Sequence, residues 1–160
     1  MANWCSNTVA FEGKSEAITS IQELFQSMRE KEQKTEEGQL PDFISDSNGG
    51  YFFNICWNEG DGGNFQYETK WAPNTGVLQQ IAARYGADFV HDYEEAGSLV
   101  YGRAAVAGGQ LTHCDLDAAD FEACQEDGDS GCWIFEGGQW ESQWEILEVL
   151  LERKIAGGNP

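Results

Sequence analysis

The residues best suited to acid–base chemistry lie in one short stretch that contains His91, Asp92, Glu94 and Glu95. Neighbouring carboxylates can take different pKa values and histidine titrates near neutral pH, so such a group can exchange protons with a substrate. In an extended strand, however, His91 points to one face while Asp92 and Glu94 point to the other. We therefore assign no catalytic residue and keep a small enzyme with a site near residues 91–95 as an alternative function.

Two other groups carry potential metal ligands. His113, Cys114, Cys124 and Cys132 offer zinc ligands, but structural zinc sites use cysteine pairs spaced by about two to four residues, which these are not. The run of residues 127–131 is similar to the start of a calcium loop, yet its glycine comes at the fifth position and Gly138 occupies the twelfth, where a bidentate Glu is needed. The sequence predicts no metal and no cofactor.

The charge distribution is the strongest functional feature of the sequence. Between Arg103 and Arg153 the chain has no Lys or Arg and twelve acids. A field of one sign repels nucleic acid and anionic membranes and attracts basic protein surfaces. The carboxylates that we expect to stand in for phosphate groups on such a surface are Asp115, Asp117, Asp120, Glu122, Glu126, Asp127 and Asp129.

The composition indicates an acidic globular protein. The formal charge of −19 over 160 residues is high, but six Trp, five Tyr and nine Phe are more aromatic residues than disordered acidic chains carry. No signal-like or membrane-spanning run is present, so we expect a cytoplasmic protein whose five cysteines are free thiols. The acidity has a second interpretation, which is solubility alone.

The periodicity of apolar residues predicts the elements that position these groups. Alternation predicts strands over residues 7–11, 51–57, 64–71, 87–94 and 99–106, and a period of 3.6 predicts helices over 15–32 and from 73–74 to 85, with Ser15 as a helix cap. A polar loop is expected over 33–50 and a turn over 58–63. The order β-α-β-β-α-β with an added hairpin strand predicts an α+β ferredoxin-like sheet, antiparallel, with both helices on one face.

The remainder of the chain is predicted to form an acidic extension over residues 110–160, separate from a ferredoxin-like domain over 1–109. An amphipathic helix is expected over 139–155, with Trp140, Trp144, Leu147 and Leu151 on one stripe. That stripe either packs on the open face of the sheet or is displayed to a partner, where Trp140 and Trp144 would serve as anchors. A second copy of the chain is one such partner, so a homodimer stays open.

Three sequence pieces carry a family resemblance. They are residues 3–7 (Asn-Trp-Cys-Ser-Asn), 67–73 (Tyr-Glu-Thr-Lys-Trp-Ala-Pro) and 93–102, where Tyr-Glu-Glu-Ala-Gly leads to Tyr-Gly. In their order and spacing they resemble the YubB-type ferredoxin-like domain family, whose members are encoded largely by plasmids and phages. The resemblance covers about residues 2–109 and implies a ferredoxin-like fold and a mobile-element setting. It implies no catalytic residue.

Together these observations predict a non-enzymatic binding protein. We expect an accessory or counter-defence protein of a phage or plasmid that imitates nucleic acid and occupies a basic surface of a host nucleic-acid-handling protein complex. It should bind neither nucleic acid nor membrane directly. A small enzyme and a homo-oligomeric structural or interaction protein are the alternatives.

Overall fold

The computed structural model describes residues 3–45, 49–60 and 62–157, so residues 46–48 of the predicted loop and Asp61 of the predicted turn lie outside the described residues. The elements in chain order are β1 (Trp4–Glu12), α1 (Ser15–Thr35), β2 (Phe53–Cys56), β3 (Asn64–Lys70), α2 (Thr75–Tyr85), β4 (Asp88–Glu95), β5 (Val100–Ala107), β6 (Gln110–Asp115), α3 (Ala118–Glu122), β7 (Gln125–Glu126), β8 (Trp133–Phe135), β9 (Gly138–Trp140) and α4 (Gln143–Ala156).

Six strands form one antiparallel sheet in the order β2-β3-β1-β4-β5-β6. The first four of these strands have the split βαβ arrangement, because β1 lies between β3 and β4, the strands that flank α2. The register places Val9 of β1 opposite Phe65 on one side and His91 on the other. The predicted ferredoxin-like fold is therefore confirmed, with β5 as the added hairpin strand.

Helices α1 and α2 pack on one face of the sheet and form the main core with it. Ile21, Phe25 and Met28 of α1 and Leu78 and Ile81 of α2 are buried in one cluster with the inward side chains of the strands, which include Val9, Phe11, Phe65, Tyr67 and Phe89. Phe25 stacks on Phe65 with ring centroids 4.1 Å apart. The opposite side of the sheet is called the open face below.

The first helix and the loop after it differ from the sequence prediction. Helix α1 begins at Ser15 with Lys14 at the N-cap and no side-chain cap hydrogen bond, so the predicted capping role of Ser15 is wrong. The helix continues to Thr35, past the predicted end at residue 32. The following loop is anchored because Ile44 is buried in the core and the backbones of Gln39 and Phe52 exchange two hydrogen bonds.

The chain after residue 109 continues the main sheet before it leaves it. Gly108 and Gly109 form a two-residue turn with positive φ at both positions, and β6 then pairs with β5 along its full length. The predicted boundary between residues 109 and 110 thus falls inside a β-hairpin. Strands β7, β8 and β9 form a second, three-stranded sheet that the sequence analysis did not predict.

The last helix starts later than predicted. Gly138–Trp140 pairs with β8, so the predicted start at residue 139 is wrong, and Ser142 Oγ accepts a hydrogen bond from Glu145 N as the N-cap. Leu147 and Leu151 are buried with Tyr101, Leu116, Phe121 and Phe135 in a second core cluster. Helix α4 therefore covers part of the open face. None of the helices in the described part of the chain is long and apolar enough to cross a membrane.

Candidate partner-binding surface

A small cavity of about 160 Å³ lies on the open face, where α4 meets the sheet. Strands β1, β4 and β5 form its floor and α4 forms a wall. Its lining is mostly polar and consists of Ser6, Thr8, Asp92, Tyr93, Glu94, Tyr101, Gly102, Glu148 and Leu151. The alternation of β1 and β4 brings the side chains of Ser6, Thr8, Asp92 and Glu94 to this face.

Arg103 lies beside this cavity and joins its floor to the wall formed by α4. Its Nε donates to Asp92 Oδ1 at 2.5 Å, and its Nη2 donates to Glu148 Oε1 at 3.1 Å. Tyr101 OH donates to the other oxygen of Glu148 at 2.6 Å. The hydrogen bond from Arg103 to Asp92 raises the pKa of the guanidinium, which stays charged. The base that precedes the acidic segment is thus already engaged within the protein.

Glu94 is the carboxylate of this cavity whose pKa is raised above the usual value for a glutamate. Burial raises the pKa of Glu94, and the negative charge of Glu148 raises it further. Both causes disfavour the ionised form of Glu94. A carboxyl group of this kind can release a proton nearer to neutral pH than an exposed glutamate, which is the chemistry that the alternative enzymatic function requires.

His91 points to the other side of the sheet, as strand alternation requires. It is fully buried, its Nδ1 lies 3.0 Å from Thr75 Oγ1, and its Nε2 lies 2.8 Å from Asn7 Oδ1. Because an amide oxygen only accepts, we assign the proton to Nε2 from this network. Burial lowers the pKa of His91 to about 3, so the imidazole is neutral at neutral pH. His91 and the pair Asp92 and Glu94 do not share a site.

Four of the seven carboxylates expected to imitate phosphates take part in local structure. Asp117 caps α3 in a capping box with Asp120, and Lys154 Nζ lies 2.9 Å from Asp120 Oδ2. Asp115 accepts hydrogen bonds from Tyr93 OH and, at 3.0 Å, from His113 Nδ1 in the protonation state that places a hydrogen there. Asp127 accepts from Ser130 Oγ at 2.7 Å and orders the turn between β7 and β8. These hydrogen bonds lower the pKa of Asp117 and of Asp127.

The other three, Glu122, Glu126 and Asp129, are exposed. Within residues 3–45, 49–60 and 62–157, no hydrogen bond or ion pair reaches their carboxylates, nor those of the exposed Glu141, Glu145 and Glu152. The twelve acids between Arg103 and Arg153 therefore divide into six engaged and six unengaged carboxylates. We call the unengaged set the free acidic surface; it consists of Glu122, Glu126, Asp129, Glu141, Glu145 and Glu152.

The two tryptophans expected as anchors do not share a helix face. Trp140 lies in β9, is half-buried, and its Nε1 donates to the carbonyl of Phe135 at 3.4 Å. Trp144 lies in the first turn of α4 and is 41% exposed, with its ring stacked on that of Tyr101 at 6.2 Å. Of the two, Trp144 is the side chain with a larger surface left for a partner.

The cysteines and histidines expected as possible metal ligands are not clustered. Across the described ranges, no group of three or more His, Cys, Asp and Glu side chains is placed to share a metal ion. All five cysteines are free thiols. Burial raises the pKa of Cys5 to about 11, which makes this thiol a poor nucleophile at neutral pH.

Sequence reasoning missed the link that organises this surface. Arg103 was a basic residue at the border of the acidic segment, and Glu148 was one of the twelve acids in that segment. Their distance of 45 positions along the chain gives no local pattern. The available signal was Arg103 itself, a charged residue alternating with small apolar residues in a predicted strand.

These elements define the class of protein. A split βαβ sheet with two helices on one face, extended by a hairpin and by a helix on the open face, is an elaborated ferredoxin-like domain. A family model described as the ferredoxin-like domain in Api92-like protein matches residues 50–136, more than half of the chain. The chain belongs to this family. Searches of curated proteins and of solved structures find no match.

The matched region differs in extent from the resemblance expected over residues 2–109. It starts before β2 and ends after β8, so it includes β6, α3 and the first two strands of the small sheet. The segment 110–136, which sequence reasoning left without a counterpart, is thus part of the family domain.

Proposed function

We propose that this protein acts by binding, and that it presents the free acidic surface to a basic surface of a partner protein that handles nucleic acid. One observation carries the proposal. Six exposed carboxylates of the segment between Arg103 and Arg153 have no partner among the described residues, while the flanking bases are engaged. The segment therefore keeps a field of one sign, which attracts a basic surface and repels phosphate backbones.

The engagement of the flanking bases supports this proposal. Arg103 contacts Asp92 and Glu148, Arg153 pairs with Glu136, and Lys154 contacts Asp120. Each base thus pairs with an acid that is not part of the free acidic surface. The remaining carboxylates are then available without disrupting α3 or α4.

The setting that we propose is a mobile element. Members of the YubB-type family, which the sequence resembles, are encoded largely by plasmids and phages. An acidic protein that occupies the nucleic-acid site of a host complex would serve such an element in counter-defence. In this mechanism Glu122, Glu126 and Asp129 stand in for phosphates, and the exposed part of Trp144 is the apolar contact.

The test uses two variants with the same change in charge. In the first, Glu122, Glu126 and Asp129 are replaced by lysine. In the control, Glu16, Glu23 and Glu30 of α1, which are exposed on the opposite side of the sheet, are replaced by lysine. The immobilised full chain and both variants are exposed to a host extract, and the retained proteins are identified and tested for nucleic-acid binding.

The proposal expects one nucleic-acid-binding complex on the wild type and on the α1 variant, and its loss from the first variant. Equal retention by both variants would mean that the free acidic surface contributes only solubility. Retention by neither variant would mean that net charge, and no particular surface, governs binding.

A small enzyme remains a second candidate because of one observation, the raised pKa of Glu94 in a polar cavity with Tyr101 and Glu148. Replacement of Glu94 by Gln separates the two functions. It should abolish a reaction centred there and leave partner retention unchanged.

A further inference from the structure

The two edge strands of the six-stranded sheet, β2 and β6, differ in how well their outer backbone is protected from pairing with another strand. At the β2 edge, the carboxylate of Glu32 accepts from Asn54 N at 2.6 Å and from Ile55 N at 3.3 Å. The backbone of Gln39 pairs with Phe52 on the same edge, and Asn54 has a φ of 52°, which breaks the regular strand. These features prevent another strand from pairing with β2.

The β6 edge has no comparable protection. Strand β6 contains no Lys, no Pro and no bulge, and its register with β5 is continuous over six residue pairs. Within the described ranges, the one hydrogen bond to its outer backbone is from Lys154 Nζ to the carbonyl of Asp115, at 3.2 Å. An uncovered edge of this kind is a template for strand pairing.

The turn determines which backbone groups point outward. A two-residue hairpin makes Ala107 and Gln110 a hydrogen-bonded pair, so every second residue from Gln110 onward bonds to β5. The bond from Leu116 N to Tyr101 O, 2.9 Å long, fits this parity. The backbone groups of Leu111, His113 and Asp115 therefore face away from the sheet.

The side chains of the same three residues point to the face of the sheet that α1 and α2 cover. Leu111 lies opposite Val106 of the core and is 38% exposed, and Asp115 lies opposite Gly102. Asp117 lies two residues beyond the end of the strand, and Asp88, which accepts a hydrogen bond from Gly108 N, lies at the other end. The edge thus has an apolar position at its start and carboxylates at both ends.

We infer that β6 is a docking edge for an extended strand of a partner protein, added antiparallel, with a basic residue opposite Asp115 and an apolar residue opposite Leu111. Charge complementarity selects this occupant, because a chain of formal charge −19 attracts a basic strand. A second copy would bring two such charges together over an edge of six residues. This inference rests on the proposed function only in taking the partner to be basic.

The positions of Asp115 and Leu111 in β6 specify the spacing of the basic and apolar residues in the partner strand. Asp115 and Leu111 are four positions apart, so the partner strand carries its basic residue four positions before its apolar one. A fluorescent, capped threonine-based peptide of about nine residues with Lys and Leu at that spacing is the probe. Two control peptides have Glu in place of Lys, or N-methyl groups on the amides that face β6.

The matched protein variants are His113→Pro and His113→Ala. Proline at an outward-facing position removes one outward N–H and no bond to β5, whereas alanine keeps that N–H. We expect the Lys peptide to bind wild type and His113→Ala alike, and His113→Pro about tenfold more weakly, since an edge hydrogen bond and its fit are lost. Binding should also slow amide exchange at Leu111 and His113.

The N-methylated peptide keeps the test independent of whether His113→Pro folds, because it leaves the protein unchanged and removes the hydrogen bonds that the peptide amides would donate to the outward carbonyls of β6. Equal binding of the methylated and unmethylated peptides, or of the Lys and Glu peptides, would overturn the inference, as would the absence of binding. If the protein alone sediments as a dimer and its amides at Leu111 and His113 are protected from hydrogen exchange, the inference is overturned in favour of a second copy as the occupant. If the peptide binds as expected while the Glu122, Glu126 and Asp129 variant still retains its complex, the proposed function fails and the docking edge stands.

Discussion

Arg103 Nη2 donates to Glu148 Oε1 at 3.1 Å and so joins the middle of β5 to α4 across the open face of the sheet. The same guanidinium binds Asp92 of β4, and Tyr101 OH binds the second oxygen of Glu148. The helix that carries part of the free acidic surface is thus held to the ferredoxin-like sheet by one base between two acids.

This link predicts an energetic coupling between Arg103 and Glu148. In a double-mutant cycle with Arg103→Met and Glu148→Gln, chemical denaturation should give a coupling free energy of about 0.5–1 kcal/mol, because both side chains are partly exposed. The exposed pair Lys31 and Asp42 provides the comparison, and its coupling should be close to zero. Equal coupling in the two pairs would show that the Arg103 link contributes no more than a surface ion pair.

The buried His91 predicts a pH-dependent stability. Its pKa is about 3 in the folded chain, below the usual value of 6.5, so the unfolded chain binds a proton that the folded chain does not. The stabilisation is complete above pH 6.5 and is lost as pH falls towards 3. Between pH 7 and pH 5 the free energy of unfolding should fall by about 2 kcal/mol through this group. His91→Gln should be less stable at pH 7 and lack this dependence, and an unchanged profile would contradict the assignment.

Two glycine-to-alanine changes should have opposite signs. A Cβ at Gly102 would clash with Asp115 Oδ1 and lie 2.8 Å from Tyr93 Cε2 and 2.9 Å from the Cys114 carbonyl, whereas a Cβ at Gly76 in α2 meets nothing within 4 Å. Thermal unfolding should show Gly102→Ala destabilised by about 1–3 kcal/mol and Gly76→Ala stabilised by up to about 1 kcal/mol. A neutral Gly102→Ala would mean that β5 and β6 separate easily at this point.

The protein should bind neither bare DNA nor bare RNA at physiological salt. It has nine basic residues against twenty-eight acidic ones, so it can neutralise few phosphates and repels the rest. Fluorescence anisotropy with labelled duplex and single strands at 0.15 M salt, where the Debye length is about 8 Å, is a sufficient measurement. Micromolar binding in the absence of divalent metal ions would contradict the charge argument.

The main sheet was predictable because its signals are local. Alternation in β1, β3, β4 and β5 and the apolar stripes of α1 and α2 each specify one element, and the split βαβ order follows from their sequence. Strand β6 was missed because only its pairing with β5 identifies it, since its residues Gln110–Asp115 are nearly all exposed and have no apolar alternation.

The candidate surface was predictable in charge but not in detail. The sequence located the base-free acidic segment, but the contact of Lys154 with Asp120 joins residues more than thirty positions apart and leaves no local pattern. Trp140 was placed on a helix because Trp140 and Trp144 have helical spacing, and its pairing with Trp133 in the small sheet overrides that spacing. Which carboxylates stay free is therefore a property of tertiary structure.

The most direct test of the central claim is competition for the partner's nucleic-acid site. The complex retained by the immobilised chain is mixed with a labelled duplex that it binds, and the chain is titrated in while anisotropy is followed at two salt concentrations. Our account predicts stoichiometric displacement of the duplex by wild type, weaker at high salt, and none by the variant with lysine at Glu122, Glu126 and Asp129. A ternary complex with undiminished anisotropy, or displacement by that variant equal to wild type, would contradict it.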